Sequence, residues 1–295
     1  MSDRHAARAY VGRFAPSPTG PLHFGSTVAA LASWLDARAQ GGRWLLRIED
    51  LDPPREIPEA PEWIMTQLHD LGLAWDGEVL RQSSRLDAYQ NAIDDLTGRG
   101  LAYPCTCSRK STPPVYPGRC RDRTFKEVAE PYAIRLRTDN RVITTDDRIK
   151  GSQHWHLADD IGDFIIRRKD GLDAYQLAVV VDDAWQGITD VVRGDDLLDS
   201  TPRQIYLGDC LGAPALTYAH FPVVLGGDGH KLSKQAHASA VDTDDPVALL
   251  SAALAALGQR VPARQPRDRF LQEAVDDWDI GRVPHSPSFA PDTLQ

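Results

Sequence analysis

A turn rich in glycine and proline lies between an apolar run and a helical pattern near the start of the chain. The turn covers residues 13–26 and reads RFAPSPTGPLHFGS. Apolar residues 9–11 before it predict a buried strand, and apolar residues at helical spacing in 28–35 predict a helix that stops at the glycine pair 41–42. This order is typical of doubly wound α/β sheets, which bind ligands at the carboxyl ends of their strands. Since the start of such a helix offers N–H groups to phosphate, we expect His23 to lie close to a phosphate ligand.

A second glycine-rich stretch lies much further along the chain. It covers residues 226–235, reads GGDGHKLSKQ, and has Lys231 and Lys234 on either side of Ser233. Such a loop can fold over a triphosphate and place ammonium groups on the charge that develops in a transition state. Taken alone, each stretch favours a simpler interpretation, a turn with a chance histidine in the first case and a solvated lysine loop in the second.

Together, in this order and at this separation, the two stretches resemble the paired signatures of the class I aminoacyl-tRNA synthetases. The segments RIEDLDPPR at 47–55, DAYQLAVVVDD at 173–183 and VVRGDDLLDSTPRQ at 191–204 resemble the glutamyl-tRNA synthetases in the same order. The resemblance covers roughly residues 8 to 245. One position departs from the pattern, because Ser26 stands where the first signature has its second histidine. That departure puts a direct role for Ser26 in doubt.

The resemblance implies an α/β fold with the Rossmann-type doubly wound parallel sheet of the class I synthetases. We expect a catalytic domain at 1–245, an insertion at about 100–174 within it, and a short helical C-terminal tail at 246–295. The other predicted helices are 61–71, 86–99 and 247–257, with an amphipathic piece at 270–278. The other predicted strands are 44–48, 163–168, 177–181, 188–192 and 222–225, and the proline-rich end is expected to be irregular.

The same resemblance implies an ATP site with catalytic groups. His23 and Gly25 are expected to contact the phosphates, and Lys231 and Lys234 to stabilise the leaving pyrophosphate. ATP would enter as a substrate together with Mg²⁺. Activation of this kind depends on positioning and charge stabilisation more than on a protein nucleophile.

A pocket for L-glutamate is also implied by the resemblance. Arg13 and Arg193 would bind carboxylates in a bidentate manner, and Glu49 would bind the ammonium group. Glutamine would bind poorly, because its neutral amide leaves an arginine unpaired. Hydrogen bonds from Ser17 and Tyr175 complete the pocket, whose expected residues are Arg13, Phe14, Ala15, Pro16, Ser17, Glu49, Tyr175 and Arg193.

Three cysteines, Cys105, Cys107 and Cys120, lie close together inside the predicted insertion. Thiolates at this spacing suit a tetrahedral zinc ion, whereas a loose group of free cysteines is the alternative. The residues themselves leave the fourth ligand open, since His154 and His156 are distant in sequence.

The cysteine pattern resembles the zinc site of the glutamyl-queuosine tRNA(Asp) synthetases. That resemblance implies Tyr116 as the fourth ligand and one structural zinc ion per chain. Cys210, on a predicted helix that begins at Thr201, is interpreted as a core residue.

Basic residues surround these cysteines. A patch of this kind can grip the phosphates of a folded RNA, but an ordinary charged surface explains it equally well. The basic residues are Arg99, Arg109, Lys110, Arg119, Arg121, Arg123 and Lys126.

Composition bounds the class of protein. A net charge of −9 argues against a general nucleic-acid coat, and four cysteines, three of them crowded, favour a metal site in a reducing compartment. The chain contains no apolar run of about 18 residues, the length that a membrane span needs. We therefore expect a monomeric cytoplasmic protein without a membrane partner.

Three functions compete at this level. The first is tRNA-independent, ATP-dependent activation of L-glutamate and its transfer to queuosine at the anticodon wobble position of tRNA(Asp). The zinc pattern and the absence of an anticodon-binding region after the lysine loop favour it. The second is a shortened glutamyl-tRNA synthetase that charges the tRNA 3′ end. The third is a non-catalytic module that binds RNA or amino acid, against which His23, Lys231 and Lys234 argue.

Overall fold

The computed structural model describes residues 8–108, 110, 112–226 and 240–289. The helices are α1 (Phe24–Ala39), α2 (Ala60–Asp70), α3 (Leu86–Gly98), α4 (Tyr175–Gln186), α5 (Thr201–Leu211), α6 (Pro246–Ala256) and α7 (Arg267–Asp276). The strands are β1 (Val11–Phe14), β2 (Arg43–Ile48), β3 (Leu80–Arg81), β4 (Ala102–Cys105), β5 (Ala133–Leu136), β6 (Val142–Asp147), β7 (Gly151–His156), β8 (Phe164–Arg167), β9 (Asp190–Gly194), β10 (Thr217–Phe221), β11 (Val224–Leu225) and β12 (Ser288–Phe289). None of the helices in these ranges is long and apolar enough to span a membrane.

Two groups of parallel strands form the centre of the fold. In the first group β2 lies between β1 and β3, and in the second β9 pairs with β10. The Thr189 amide N–H donates to the Val11 carbonyl oxygen at 2.9 Å, which holds the start of β9 beside β1. The carboxyl ends of the two groups therefore meet at one edge. This arrangement confirms the predicted α/β class with parallel strands.

Helix α1 packs on these strands and supplies much of the main hydrophobic core. It begins at the capping residue His23, whose Nδ1 accepts the Ser26 amide N–H while the Ser26 hydroxyl accepts the His23 amide N–H. It is followed by Gly41, whose φ of +61° suits glycine. Trp44 of β2 is fully buried and stacks on Phe14 of β1 with ring centroids 6.1 Å apart. Burial of a large apolar side chain stabilises the folded state by about 1.5–3 kcal/mol. This packing holds the turn between β1 and α1 in place.

An antiparallel sheet and a hairpin occupy the stretch that was predicted to be an insertion. Strand β5 pairs with both β4 and β8, and β6 and β7 form the hairpin. Apolar side chains of this region share a second core with α3, α4 and α5, including Tyr89, Leu177 and Tyr206. Because that core contains helices from both sides of the stretch, the domain limits at 100, 174 and 245 stay predictions.

The apolar run 177–181 is helical, so its prediction as a buried strand is wrong. It belongs to α4, which ends at Gly187 in the left-handed conformation with φ of +67°. Three consecutive valines favour a strand, but the packing of α4 against the second core overrides this local preference. The helix buries Asp182 and Asp183, which the strand prediction had placed at a strand end.

The remaining predicted elements are present with shifted ends. The strands predicted at 9–11, 163–168 and 188–192 correspond to β1, β8 and β9. Strand β10 was not predicted, and the strand predicted at 222–225 is the short β11. The proline-rich end is not wholly irregular, because β12 within it pairs in parallel with β11.

A fully buried carboxylate, that of Asp36 in α1, connects three parts of the chain. It accepts hydrogen bonds from the Tyr10 hydroxyl at 2.6 Å, the Arg148 guanidinium at 2.6 and 2.9 Å, and the Trp278 indole N–H at 3.0 Å. Tyr10 precedes β1, Arg148 lies in the β6–β7 turn, and Trp278 follows α7. One side chain therefore joins the first strand, the hairpin and the tail.

We expect Asp36→Ala to lower the free energy of unfolding by about 3 kcal/mol, because it leaves the Arg148 guanidinium and two other donors without an acceptor. Chemical denaturation measures this change. The control is Asp95→Ala, which removes an exposed ion pair with Arg99 and should cost less than about 0.5 kcal/mol. Equal losses in the two variants would contradict the role given to Asp36.

Candidate active site

A cleft of about 610 Å³ opens at the carboxyl ends of β1, β2, β9 and β10. Most of the residues predicted for glutamate and ATP line it. They are Arg13, Phe14, Ala15, Ser17, His23, Gly25, Glu49, Tyr175 and Arg193.

The three other predicted residues are Pro16, Lys231 and Lys234. Pro16 is not among the lining residues, although its carbonyl oxygen accepts the Glu49 amide N–H at 3.0 Å. This bond holds the turn after β1 against the end of β2. Lys231 and Lys234 lie outside the described residues, so their placement stays a prediction.

His23 and Ser26 occupy the first turn of α1 at the cleft. The His23 Nδ1 accepts the Ser26 amide N–H at 3.3 Å, which leaves the proton of a neutral imidazole on Nε2. The Ser26 hydroxyl accepts the His23 amide N–H at 2.9 Å and donates to the His23 carbonyl oxygen at 2.8 Å. Ser26 therefore orients the histidine by capping, a role that sequence reasoning missed.

A charge network of Arg13, Arg47, Glu49 and Asp183 forms part of one wall of the cleft, where Arg13 and Glu49 line it. The Asp183 Oδ1 is 2.7 Å from the Arg47 Nη1 and 3.4 Å from the Arg13 Nε. The Arg47 Nη2 is 3.4 Å from the Glu49 Oε1. No side chain of this network is more than 9% exposed. Two arginines and two carboxylates thus balance one another away from water.

The two carboxylates of the network differ in acidity. Burial raises the pKa of Glu49, and the opposing charges of Arg47 and Arg13 do not cancel this effect. Burial acts in the same direction on Asp183, but the two arginines outweigh it and the pKa of Asp183 is lowered. Of the two carboxylates, Glu49 is consequently the one whose ionised form an added positive charge in the cleft would stabilise more.

The Arg13 and Arg193 guanidinium groups differ in how many of their N–H groups already donate hydrogen bonds within the protein. Within the described residues, Arg13 uses only its Nε–H, toward Asp183. Its two terminal nitrogens can therefore bind a carboxylate in a bidentate manner. Arg193 instead donates from Nε to His220 at 3.0 Å and from Nη2 to the Thr201 hydroxyl at 3.0 Å and the Leu197 carbonyl at 3.4 Å.

The remaining hydrogen bond of Arg193 runs from Nη1 to the Tyr175 hydroxyl at 3.4 Å. Among the described residues, one N–H of Nη1 has no acceptor. The arrangement gives Arg193 a single donor for a ligand in the cleft. The bidentate pairing expected from the sequence is open to Arg13 and not to Arg193.

The cysteine cluster lies between β4 and the loop that carries Cys120. The Cys107 and Cys120 sulfurs are 3.7 Å apart, and all three thiol sulfurs lie within 4.8 Å of one another. A tetrahedral site with metal–sulfur bonds of ~2.3 Å needs sulfurs about 3.8 Å apart, so the three thiols fit a metal ion.

The Tyr116 hydroxyl lies beside the thiols of this cluster. It is 3.4 Å from the Cys105 sulfur and 3.5 Å from the Cys107 sulfur, and it accepts the Cys120 amide N–H at 3.1 Å. The Arg135 guanidinium stacks 3.9 Å from the centre of the Tyr116 ring and donates to the Cys105 sulfur at 3.3 Å. The histidines considered from the sequence, His154 and His156, belong to β7 and not to this cluster.

The phenol and the Cys105 thiol of the cluster differ in the direction of their pKa shifts. Burial raises the pKa of the Tyr116 phenol, and the neighbouring thiols raise it further. Burial acts in the same way on Cys105, but hydrogen bonds with Tyr116 and Arg135 outweigh it and lower the pKa to about 7. An ionised phenol at this position therefore requires the charge of a metal ion.

Comparison with known proteins shows the family of this chain. Residues 10–265 match the family model described as "tRNA synthetases class I (E and Q), catalytic domain". The chain belongs to this family of class I tRNA synthetases. The membership confirms the resemblance that the two glycine-rich stretches indicated.

Curated relatives in the family extend over nearly the whole chain. The Glutamyl-Q tRNA(Asp) synthetase of Pseudomonas aeruginosa is 51% identical over 292 residues, which cover 97% of this chain and 99% of the relative. The protein of the same name from Pseudomonas fluorescens is 55% identical over 286 residues, with 95% of each chain covered. A crystal structure of a glutamate tRNA ligase from Elizabethkingia meningosepticum, in complex with its amino acid, is similar with a TM-score of 0.80 and 26% identity. It covers 97% of this chain and 68% of that chain.

Several polar residues of this synthetase cleft were not assigned a role from the sequence. Arg47 and Asp183 belong to the charge network, and Arg168 pairs with Asp52 at 3.3 Å on the cleft wall. Arg47 and Asp52 lie in the RIEDLDPPR segment, and Asp183 ends the DAYQLAVVVDD segment. Their membership in segments that resemble the synthetase family was therefore a signal that they have a role. Their partners could not be found, because each pair joins positions that are far apart in sequence.

The basic patch of the synthetase insertion is smaller than the sequence indicated. Arg121 binds both oxygens of the buried Asp163, at 2.5 and 2.6 Å. Arg99 pairs with Asp95 and donates to the Cys210 carbonyl oxygen. Arg109 is outside the described residues. Arg99 and Arg121 therefore contribute hydrogen bonds to the fold of the protein.

The cysteine cluster predicts that the purified protein contains about one thiophilic metal ion per chain. Cys107→Ser should remove most of it, since one thiolate ligand is lost. Cys210→Ser is the matched control, because Cys210 lies on α5 outside the cluster, and it should keep the metal. Metal analysis by mass spectrometry measures both contents, and similar contents in the two variants would contradict the assignment.

Proposed function

We propose that this synthetase activates L-glutamate with ATP, without tRNA, and transfers it to queuosine at the anticodon wobble position of tRNA(Asp). The observation that carries the activation step is the cleft itself. It brings Arg13, Glu49, Tyr175 and Arg193 together beside His23 at the start of α1. The acceptor is suggested by the relatives named Glutamyl-Q tRNA(Asp) synthetase.

Recognition of glutamate follows from the two arginines and Glu49. One carboxylate of the substrate takes the two terminal nitrogens of Arg13, and the other takes the remaining Nη1 donor of Arg193 with the Tyr175 hydroxyl. The ammonium group takes Glu49, whose ionised form it stabilises against the effect of burial. Glutamine presents an amide where an arginine needs an anion, so it is bound less well.

Activation is the attack of a glutamate carboxylate oxygen on the α-phosphorus of ATP. The new bond is carboxyl oxygen to phosphorus, and the bond to the pyrophosphate oxygen breaks. His23 Nε2–H and the N–H groups at the start of α1 would donate to phosphate oxygens, which is supported by the position of His23 at the cleft. Lys231 and Lys234 would stabilise the negative charge of the leaving pyrophosphate, with Mg²⁺ bound to the phosphates.

Transfer is the attack of a hydroxyl of the modified base on the glutamyl carbonyl, which expels AMP. Bases in RNA loops are unstacked and can enter a pocket, whereas bases in a helix cannot. An anticodon loop is therefore a suitable ligand for a cleft of this size. Backbone phosphates of the loop can contact exposed basic side chains of the insertion, such as Arg123 and Lys126.

The second candidate is charging of the tRNA 3′ end. It is favoured by the similarity to a glutamate tRNA ligase whose structure is a complex with its amino acid. The two candidates share the activation step and differ only in the hydroxyl that attacks the adenylate.

We also propose that the metal of the insertion is one structural Zn²⁺, bound by Cys105, Cys107, Cys120 and Tyr116. The support is the fit of the thiols and the position of the tyrosine hydroxyl among them. Zinc with four protein ligands has no open position, so it holds the insertion together and takes no part in the reaction.

Tyr116→Phe tests the fourth ligand. It keeps three thiolates and removes the phenol, so zinc affinity measured by competition with a chelator should fall at least about tenfold. The spectrum of the cobalt-substituted protein should change as well, because water replaces an oxygen ligand. Unchanged affinity and an unchanged spectrum would mean that Tyr116 only forms hydrogen bonds with the thiols.

Lys234→Ala tests activation. Loss of one preorganised charge donor should lower glutamate-dependent ATP–pyrophosphate exchange by about two orders of magnitude, measured without tRNA. Lys126→Ala, an exposed lysine of the insertion, is the control and should keep normal exchange. A folded Lys234 variant with normal exchange would refute the assigned role, and a strict requirement for tRNA would favour 3′ charging.

The acceptor is tested with RNA fragments and labelled glutamate. An anticodon stem-loop of tRNA(Asp) that carries queuosine should accept glutamate, and the same stem-loop with guanine should not, because it lacks the attacking hydroxyl. Removal of the 3′ CCA end from whole tRNA(Asp) should leave acceptance intact. If CCA removal abolishes acceptance, the second candidate is correct.

A further inference from the structure

Two buried side chains behind the cleft, His220 of β10 and Asp147 of β6, have no part in the activity described so far. Neither lines the cleft, and both are fully buried at the side chain. His220 contacts Arg193, the arginine at the end of the glutamate pocket. The direction of each hydrogen bond between them can be deduced from the chemistry of the groups.

Arg193 determines the protonation state of one nitrogen of the His220 imidazole. Its Nε–H lies 3.0 Å from the His220 Nε2, and a guanidinium group can only donate. The His220 Nε2 must therefore carry a lone pair. The Thr201 hydroxyl is consistent with this, since it accepts from the Arg193 Nη2 and directs its own proton to the same Nε2 at 3.2 Å.

Asp147 determines the protonation state of the other imidazole nitrogen, Nδ1. The His220 Nδ1 is 2.6 Å from the Asp147 Oδ2, so Nδ1–H donates to the carboxylate and the ring is neutral. The Asp147 Oδ1 accepts backbone N–H groups of Ile149, Lys150 and His220 at 2.8–3.1 Å. Burial alone would raise the pKa of Asp147, but the hydrogen bonds from His220 and these amides hold it at about 2.

We propose that His220 is a positioning residue that aims Arg193 at a substrate carboxylate, and that Asp147 fixes the tautomer His220 needs for this. With Nε bound by His220 and Nη2 by Thr201 and Leu197, the guanidinium cannot rotate, and its Nη1 edge stays beside Tyr175 in the cleft. This inference rests on the proposed function, in which that carboxylate belongs to glutamate.

The surroundings of His220 make the arrangement sensitive to acid. The charged groups that face the ring are Arg193 of β9, Arg13 of β1 and Asp147 of β6, and Tyr218 stacks on it at 5.9 Å. Burial and Arg193 lower the pKa of His220 more than Asp147 raises it. Protonation would turn an Nε2–H toward the Arg193 Nε–H, so glutamate binding should weaken only at a pH below the ordinary histidine pKa of 6.5.

Asp147→Asn reverses the tautomer without removing a side chain. Three backbone N–H groups retain the amide oxygen at the Oδ1 position, so the amide NH₂ faces His220 and donates to Nδ1. The ring proton then moves to Nε2 and opposes Arg193. The KM for glutamate in ATP–pyrophosphate exchange should rise about tenfold to a hundredfold, while the KM for ATP changes less than about twofold. Asp146→Asn, the exposed neighbour on β6, is the matched control and should change neither.

The tautomer itself can be observed by ¹⁵N NMR of labelled histidine. The wild type should show His220 with its proton on Nδ1, and Asp147→Asn should show it on Nε2. His220→Gln supplies a second variant, since its amide oxygen can accept from Arg193. It should keep the KM for glutamate within about threefold and show a smaller rise at low pH than the wild type, the remainder coming from Glu49, whereas His220→Leu should raise the KM.

Each outcome bears on the inference. A wild-type His220 that is charged at neutral pH or protonated on Nε2 would overturn it, as would equal rises in the KM for glutamate and ATP. A folded Asp147→Asn with the NMR change but an unchanged KM would also overturn it. If the wild type shows no glutamate-dependent exchange, the proposed function fails, and the NMR result still decides whether the hydrogen bonds run as described.

Discussion

The shared carboxylate of Asp183 holds the substrate face of this protein together. It lies between Arg13 of β1 and Arg47 of β2, although it belongs to α4, so one side chain ties the first half of the parallel sheet to the helix that follows the insertion. An unpaired charge at such depth would cost several kcal/mol. The two arginines and Asp183 therefore constrain one another, and any change in the packing of α4 is transmitted to the Arg13 guanidinium in the cleft.

The sequence predicted the parts of the site that depend on local structure. The turn from Arg13 to Ser26 is a continuous segment between a strand and a helix, so its position at the sheet edge followed from pattern alone. Glu49 was placed for the same reason, because it directly follows the buried strand β2. Cys105, Cys107 and Cys120 were found as a group because the ligand spacing of a zinc site is a short-range property.

The parts that depend on long-range pairs were not predicted. His220 reaches Asp147 and Arg193 across separations of 73 and 27 residues, and no local pattern marks either pair. The valine run of α4 was misread for a related reason. Its burial comes from a second core that no window of sequence contains, and with the helix unrecognised the inward direction of Asp183 was hidden as well. The capping role of Ser26 was missed because the resemblance directed attention to the histidine it replaces.

The pairing of β11 with β12 has a consequence for the order in which the site is made. Val224 lines the cleft, and the strand that contains it is paired with Ser288–Phe289, the last described residues of the chain. Arg13, on the opposite wall, belongs to the first strand. Translation makes the residues of these two walls at widely separated times, and Trp278, whose indole reaches Asp36 of α1, is made later than Val224. During translation the first half of the sheet can fold early. The pairing that supports Val224 can form only after residues 288–289 have been made, so the wall that contains Val224 is completed well after the first strand.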